Sequence, residues 1–165
     1  MVLTSLLGTI PFFQNFIESE RQAFAEREDL IHHFNKGAFI IRQGQTDEHS
    51  LYILLKGQVL VSRIDEHGLE EKITTLKPGD IIGEISFLTN RPRTTNILTL
   101  EEVIAIRIDN EAIEGFDCPL QIRLKDFLIK VLVDRLEMMN SSQMKKDEIN
   151  KQLVHALRDA YLSTH

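Results

Sequence analysis

The chain has 165 residues, of which 42% are hydrophobic and 27% charged, and a formal net charge of −6. That size suits one domain with a helical appendage, and that composition buries a real core. The acidic balance argues against a nucleic-acid surface, which carries a basic excess, but not against one small anion held by a single arginine. Cys118 is the one cysteine, so no intrachain disulfide is possible and a reducing cytoplasm is the expected setting. It reads as a small apolar residue rather than a nucleophile. Met1 to Leu7 lacks the basic start of a signal peptide, and no apolar run reaches the roughly 18 residues of a membrane span.

Three zones follow in chain order, 1–31, 32–109 and 110–165. The first reads as helical. Leu6, Leu7, Ile10, Phe12, Phe13 and Phe16 are closely spaced, with a break expected at Pro11. Glu18 to Ile31 then reads as an amphipathic helix anchored by Phe24, Leu30 and Ile31. The second zone reads as strands over Ala38–Ile41, Leu51–Leu55, Gln58–Ile64, Lys72–Leu76, Thr95–Thr99 and Val103–Asp109. Turn signals at Gly37, Gly44, Gly57, Gly68 and Pro78-Gly79 separate them at steady intervals, which predicts a jelly-roll β-barrel. In the third zone Asp117 is placed to cap a helix with Pro119 in its first turn. Leu120 to Met139 forms a long helix with a broad apolar face that includes Leu124, Leu128, Val131 and Leu132. Asn140-Ser141-Ser142 weakens that pattern. Ile149, Leu153, Ala156, Leu157 and Ala160 resume it, and Ile149, Leu153, Ala156 and Ala160 form a short heptad-like seam.

One stretch of the β zone is not strand-like: residues 79–96. Gly83 allows a close backbone approach or a positive φ. Glu84 to Leu88 forms one short helical turn whose N–H groups attract an anion. Asn90-Arg91-Pro92 turns the chain, and Arg93 then presents a planar fork of donors suited to two phosphate oxygens. The local chemistry leaves a second reading open, a plain loop with Glu84 and Arg93 as a surface ion pair.

Gly83-Glu84-Ile85-Ser86-Phe87-Leu88, the gapless run on to Arg93, and Thr94-Thr95-Asn96 resemble the phosphate-binding cassette of cyclic-nucleotide-binding domains. These are the sensor modules of protein kinase A regulatory subunits, the catabolite activator protein and cyclic-nucleotide-gated channels. Leu51 to Val59 resembles the family's hairpin, and the order of helices, barrel and helix matches as well. The resemblance implies that Glu84 accepts from the ribose 2′-hydroxyl. It places Gly83 and the amides of Ile85 and Ser86 near the sugar and phosphate, and pairs Arg93 with the exocyclic oxygens. Thr94 and Thr95 add hydroxyls, and Val61, Ile73 and Thr74 line the pocket wall. Asn140 is a candidate base contact against the plainer role of a polar residue fraying the helix. Thr95 and Asn96 are more polar than the family's usual small apolar residues, and Arg91 reads as solvent-exposed turn decoration.

The expected ligand is a cyclic mononucleotide, cyclic AMP ahead of cyclic GMP, with no cofactor, metal or catalysis. Phe87 and Leu88 are the expected contacts of the cassette with the long helix. Expected partners are a second copy through the C-terminal helices and a downstream effector, without nucleic acid or membrane span. Two alternatives stand beside this reading. One is the sensor part of a catabolite-activator-type transcription regulator, for which about 25 residues after Asn140 are too few to make a winged DNA-binding domain. The other is a cupin-like metal enzyme. His32 and His33 are adjacent and would point to opposite strand faces, and His67 sits in a turn, so the metal-ligand pattern is missing.

Overall fold

The computed structural model describes residues 2–162, with side chains placed for 4–147, 151 and 152. The first of its two units ends at Gln121 and the second begins at Ile122. The first unit opens with α1 (Val2–Thr9), a 3-10 turn at Pro11–Asn15 and α2 (Glu18–Ala25). Pro11 breaks the helix as its sequence requires, because its ring fixes φ and removes a donor. Phe12, Phe13, Phe16, Phe24 and Phe116 then close an aromatic cluster, with ring centroids of 4.6 Å for Phe12–Phe13 and 4.7 Å for Phe24–Phe116. All five are buried, each removal from water stabilising by roughly 1.5–3 kcal/mol.

The expected helix from Glu18 to Ile31 ends early. Arg27 leaves helical geometry and donates twice to Asp29, both at 2.8 Å, across a 3-10 turn at Glu28–Leu30. The chain then enters β1 (Ile31–Phe34), because Ile31 finds Ile106 as an antiparallel partner. That long-range pairing overrides the local helical pattern. The remaining strands are β2 (Phe39–Ile41), β3 (Leu51–Lys56), β4 (Val59–Ile64), β5 (Glu70–Leu76), β6 (Ile81–Ile82), β7 (Asn96–Thr99) and β8 (Val103–Ile108). Between β6 and β7 lies α3 (Glu84–Thr89), and α4 (Asn110–Glu114) follows β8.

The strands form two four-stranded antiparallel sheets, ordered β1-β8-β3-β6 and β2-β7-β4-β5. The jelly-roll barrel expected from the strand spacing is therefore an open sandwich, flanked by helices as predicted. Its core joins both sheets through Ile41, Tyr52, Leu54, Val59, Val61, Ile82, Ile97 and Val103. Asp109 caps α4, its Oδ1 accepting from Ala112 N at 2.8 Å, and Asp117 caps the next helix by accepting from Leu120 N at 2.9 Å. That helix is α5 (Cys118–Leu162), unbroken through Asn140-Ser141-Ser142. These residues are exposed, so the few tenths of a kcal/mol each costs does not interrupt a helix already propagating from both sides.

From Ile122 onward α5 is the second unit. Leu124 and Leu128 are buried, while Ile122, Ile129, Leu136 and Met139 are exposed. The side chains of Ile149, Leu153, Ala156, Leu157 and Ala160 lie outside the described residues. Among the described residues no helix is long and apolar enough to cross a membrane, and no group of three or more His, Cys, Asp or Glu could hold a metal.

Gly57 turns β3 into β4 with φ +86°, and a Cβ there would run into the Glu102 carbonyl. Gly68, with φ +79°, has open space around it. Gly57→Ala should therefore lower unfolding free energy by about 2–4 kcal/mol, and Gly68→Ala by about 1 kcal/mol, in urea denaturation.

Candidate functional site

The segment between β6 and β7 is built around Arg93. Its backbone is pinned to the turn after β2: Arg93 N donates to Gln45 O at 2.9 Å, and Gly44 N donates to Arg93 O at 2.8 Å. Its side chain is only 4% exposed. Nη1 donates to Gly83 O at 3.1 Å and Nη2 to Ser50 O at 2.7 Å. The remaining position, Nε, is buried without a hydrogen-bond partner, and it is the one such side-chain atom found among the described residues. An orphaned buried donor costs about 1–3 kcal/mol. An anion oxygen at Nε would remove that cost and neutralise the charge.

Burial lowers the proton affinity of the Arg93 guanidinium, and Arg107 acts in the same direction. The nearby Tyr52, Glu48 and Glu84 oppose that shift. Arginine's intrinsic affinity for its proton leaves the group a cation regardless.

Gly83 precedes α3 in a left-handed conformation, φ +81°, that favours glycine. A Cβ there would meet Arg93 Nη1 at 2.6 Å and Ser50 O at 2.8 Å, so the missing side chain is what lets the arginine lie against the backbone. Glu84 is 2% exposed. The alternative of a solvated Glu84–Arg93 surface pair fails on burial, since both side chains lie inside. Ser86 is also buried, and its Oγ donates to Arg91 O at 2.7 Å, closing the cassette on itself. His49 Nδ1 lies 2.8 Å from the same Oγ. With the hydroxyl proton committed to Arg91, the imidazole is the donor.

The structure gathers Gly83, Glu84, Ser86 and Arg93 into this one feature. Ile85 is half exposed on α3, Thr94 is exposed and Thr95 partly so. Val61 pairs with Thr74 on one side and Ile97 on the other, and Ile97 pairs in turn with Ile41, whose Cδ1 lies beside Gly83. Val61 and Thr74 are thus linked to the cassette through consecutive strands. Ile73 occupies a β-bulge and is 50% exposed. Phe87 is buried, Leu88 is 38% exposed, and Asn140 is exposed on α5.

A polar layer lies behind Arg93. Tyr52 donates to Glu48 Oε1 at 2.7 Å, and Arg107 Nε reaches Glu48 Oε1 at 3.0 Å and Ser50 Oγ at 2.9 Å. Burial pushes the Glu48 carboxyl up, but the Tyr52 hydrogen bond, the Arg107 charge and the other donors around it outweigh burial and hold it below the usual value. Burial, reinforced by Glu48, pushes the Tyr52 hydroxyl well above the usual tyrosine value. The sequence reading passed over Glu48, Ser50 and Arg107. One signal was present, since Arg107 is a lone charge in the apolar strand Val103–Ile108, and a partly buried charge there calls for partners.

The first unit thus combines an open antiparallel sandwich with, between β6 and β7, a short helix opening on a positive-φ glycine and a buried arginine aimed back at that glycine. Residues 31–116 match the family described as "Cyclic nucleotide-binding domain", and the chain belongs to that family. It is 31% identical over 111 residues to the "CRP-like cAMP-activated global transcriptional regulator" of Mycobacterium tuberculosis, covering 66% of this chain and 48% of the relative. It is 25% identical over 122 residues to the "cAMP-dependent protein kinase regulatory subunit" of Dictyostelium discoideum, covering 72% of this chain and 37% of the relative. Among solved structures it is similar to the "Regulatory subunit of a cAMP-independent protein kinase A from Trypanosoma brucei". That likeness has a TM-score of 0.63 at 27% identity and covers 77% of this chain and 44% of that one. The chain thus spans less than half the length of these relatives.

The depressed Glu48 carboxyl makes the polar layer sensitive to acid. A group whose folded value is lowered stabilises the fold above its unfolded value, near pH 4.3, and that contribution is lost as pH falls through the lower folded value. Glu48→Gln should therefore be less stable than the parent near pH 7, with the gap narrowing below about pH 4 and closing with further acidification in urea titrations.

Proposed function

We propose that the chain is a cyclic-mononucleotide receptor that performs no catalysis of its own and relays occupancy through its C-terminal helix to an output domain or protein. The observation that carries this reading is the buried, partly unsatisfied guanidinium of Arg93 set against Gly83. A cyclic phosphodiester carries one negative charge, which one buried arginine neutralises. Glu84, buried one residue from Gly83, accepts from the ribose 2′-hydroxyl, for which an ionised carboxylate is the strongest side-chain acceptor. The amides of Ile85 and Ser86 and the hydroxyls of Thr94 and Thr95 complete the sugar and phosphate contacts. Val61, Ile73 and Thr74 form the base wall, and Asn140 contributes a base contact.

Cyclic AMP is the favoured ligand, in keeping with the cyclic-AMP-linked names of the M. tuberculosis and D. discoideum relatives. Those relatives are also longer, which supports this chain acting as the sensor portion of a larger regulator, a transcription regulator of the catabolite-activator kind included. A reducing cytoplasm suits the single cysteine. The sequence seam of Ile149, Leu153, Ala156 and Ala160 supports a homodimer paired through the C-terminal helices, and the exposed Ile122, Ile129 and Leu136, at steps of seven on α5, add one apolar row to it.

Calorimetric titration tests the site. Arg93→Ala should keep the fold and weaken cyclic AMP binding by about 2–4 kcal/mol, and Arg93→Lys should also bind worse, because an ammonium lacks the planar fork. Binding within twofold of the parent by Arg93→Ala sinks the site. The parent should prefer cyclic AMP to its 2′-deoxy analogue, and Glu84→Gln should narrow that preference. Equal affinity of the parent for the two removes the ribose role, and a tenfold preference for cyclic GMP in competition overturns the choice of base. For the dimer, spin labels near Lys151 on two copies should report an interhelix distance that changes on saturation. A monomer by light scattering, or an unchanged distance, removes the helix-pairing relay and leaves the binding site standing.

A further inference from the structure

The polar layer behind Arg93 has a geometry that a simple packing role does not require. Arg107 stands on β8 directly across from Tyr52 on β3. Its Nε–H is shared between Glu48 Oε1 at 3.0 Å and Ser50 Oγ at 2.9 Å, and its Nη2 lies 3.5 Å from Asp109 Oδ2. Ser50 is only 1% exposed. Its hydroxyl belongs to Arg107 and Glu48, while its carbonyl accepts Arg93 Nη2 at 2.7 Å. One residue is therefore gripped from two sides by two arginines, and Glu48 lies where its negative charge favours both. The far end of Arg107 borders a polar hollow of about 190 Å³ lined by Arg27, Asp29, His32, Asp109 and Glu111, so its guanidinium is tethered at both ends.

We infer that Arg107 is a positioning residue for phosphate recognition, acting on Arg93 through Ser50, an inference that rests on the receptor reading above. Ser50 lies in the segment before β3, outside the paired residues, so its carbonyl direction depends on a constraint from its side chain. Arg107 supplies that constraint from the neighbouring strand by holding the hydroxyl and the adjacent carboxylate. The Ser50 carbonyl then faces Arg93 Nη2, Gly83 O holds Nη1, and Nε is left as the donor that a phosphate oxygen would satisfy. Without Arg107 the Ser50 carbonyl can turn away, and Arg93 gains conformations in which its fork is no longer presented. Arg107 also stabilises the carboxylate form of Glu48, so its loss leaves a partly buried negative charge with one donor fewer beside the phosphate site.

A double-mutant cycle in cyclic AMP affinity tests the inference. Arg107→Met should weaken binding about tenfold in the parent chain. Ser50→Ala, which keeps the carbonyl and removes only the hydroxyl, should reproduce part of that loss. Arg107→Lys, which can still donate to Glu48 or Ser50, should recover part of it. In an Arg93→Lys background Arg107→Met should add less than about twofold, because the fork it positions is gone. A loss from Arg107→Met that is the same size with or without the Arg93 fork overturns the inference and leaves the receptor reading intact. So does Arg107→Met binding at parental affinity while Arg93→Ala is impaired. Parental affinity in Arg93→Ala itself overturns the receptor reading, and this inference with it. Should Arg107→Met fail to fold by its thermal transition, Ser50→Ala and Arg107→Lys carry the same cycle.

Discussion

The first unit is organised around the cost of keeping one guanidinium away from water. A buried unpaired cation is expensive, and backbone carbonyls offset only part of that cost. Arg93 draws on Gly83 and Ser50 for carbonyl oxygens and on Glu48, Glu84 and Tyr52 for opposing electrostatics. These contacts come from separate parts of the sandwich. The Gly44–Gln45 turn holds its backbone, the approach to β3 brings Glu48 and Ser50, and the β6–α3 corner brings Gly83 and Glu84. Two sheets must be assembled before the arginine is accommodated, so the site reports on the whole fold rather than on one loop.

The same constraint explains why the corner is made of glycine. A chain turning from a two-residue strand into a six-residue helix needs a left-handed step, which glycine adopts freely. Here the step must also be bare, because the arginine lies where a Cβ would project. Backbone conformation and electrostatics make the same demand at Gly83. At Asn90, the far end of α3, the backbone is left-handed again, φ 53°, in a residue type that tolerates it.

Much of this was legible in the amino-acid order. The evenly spaced turns gave the strand count to within two, and the Gly83–Glu84 to Arg93 spacing marked the corner. The cap at Asp117 and the break at Pro11 followed from side-chain and ring chemistry alone. What escaped was whatever depended on a distant partner. Ile31 looked like the end of a helix and His32–Phe34 stood in the β zone without a strand, because the strand identity of Ile31–Phe34 comes from β8, some 70 residues on. Ile81–Ile82 is too short to show an alternation. Closure could not be judged from strand count, and the sheets remain open. Glu48, Ser50 and Arg107 are scattered along the chain and unremarkable as letters. Their relation exists only because Tyr52 and Arg107 fall opposite each other in the β3–β8 register. The plain ion-pair reading of Glu84 and Arg93 differed from the site reading only in burial, which no local pattern encodes.

The ready-made seat of Arg93 bears on kinetics. A long flexible side chain that must be immobilised on binding costs roughly 0.5–1.5 kcal/mol and delays the productive encounter. Arg93 is held by two backbone carbonyls, so little of that freedom is left for a bound anion to remove. In the proposed receptor, association at this point would not wait for the arginine to search. Differences in affinity among anions that share this contact should then be expressed in how long each stays rather than in how fast each arrives. Under the proposed receptor reading, a site built this way would trade adaptability for promptness, with the bound anion's length of stay setting how a fall in ligand is followed.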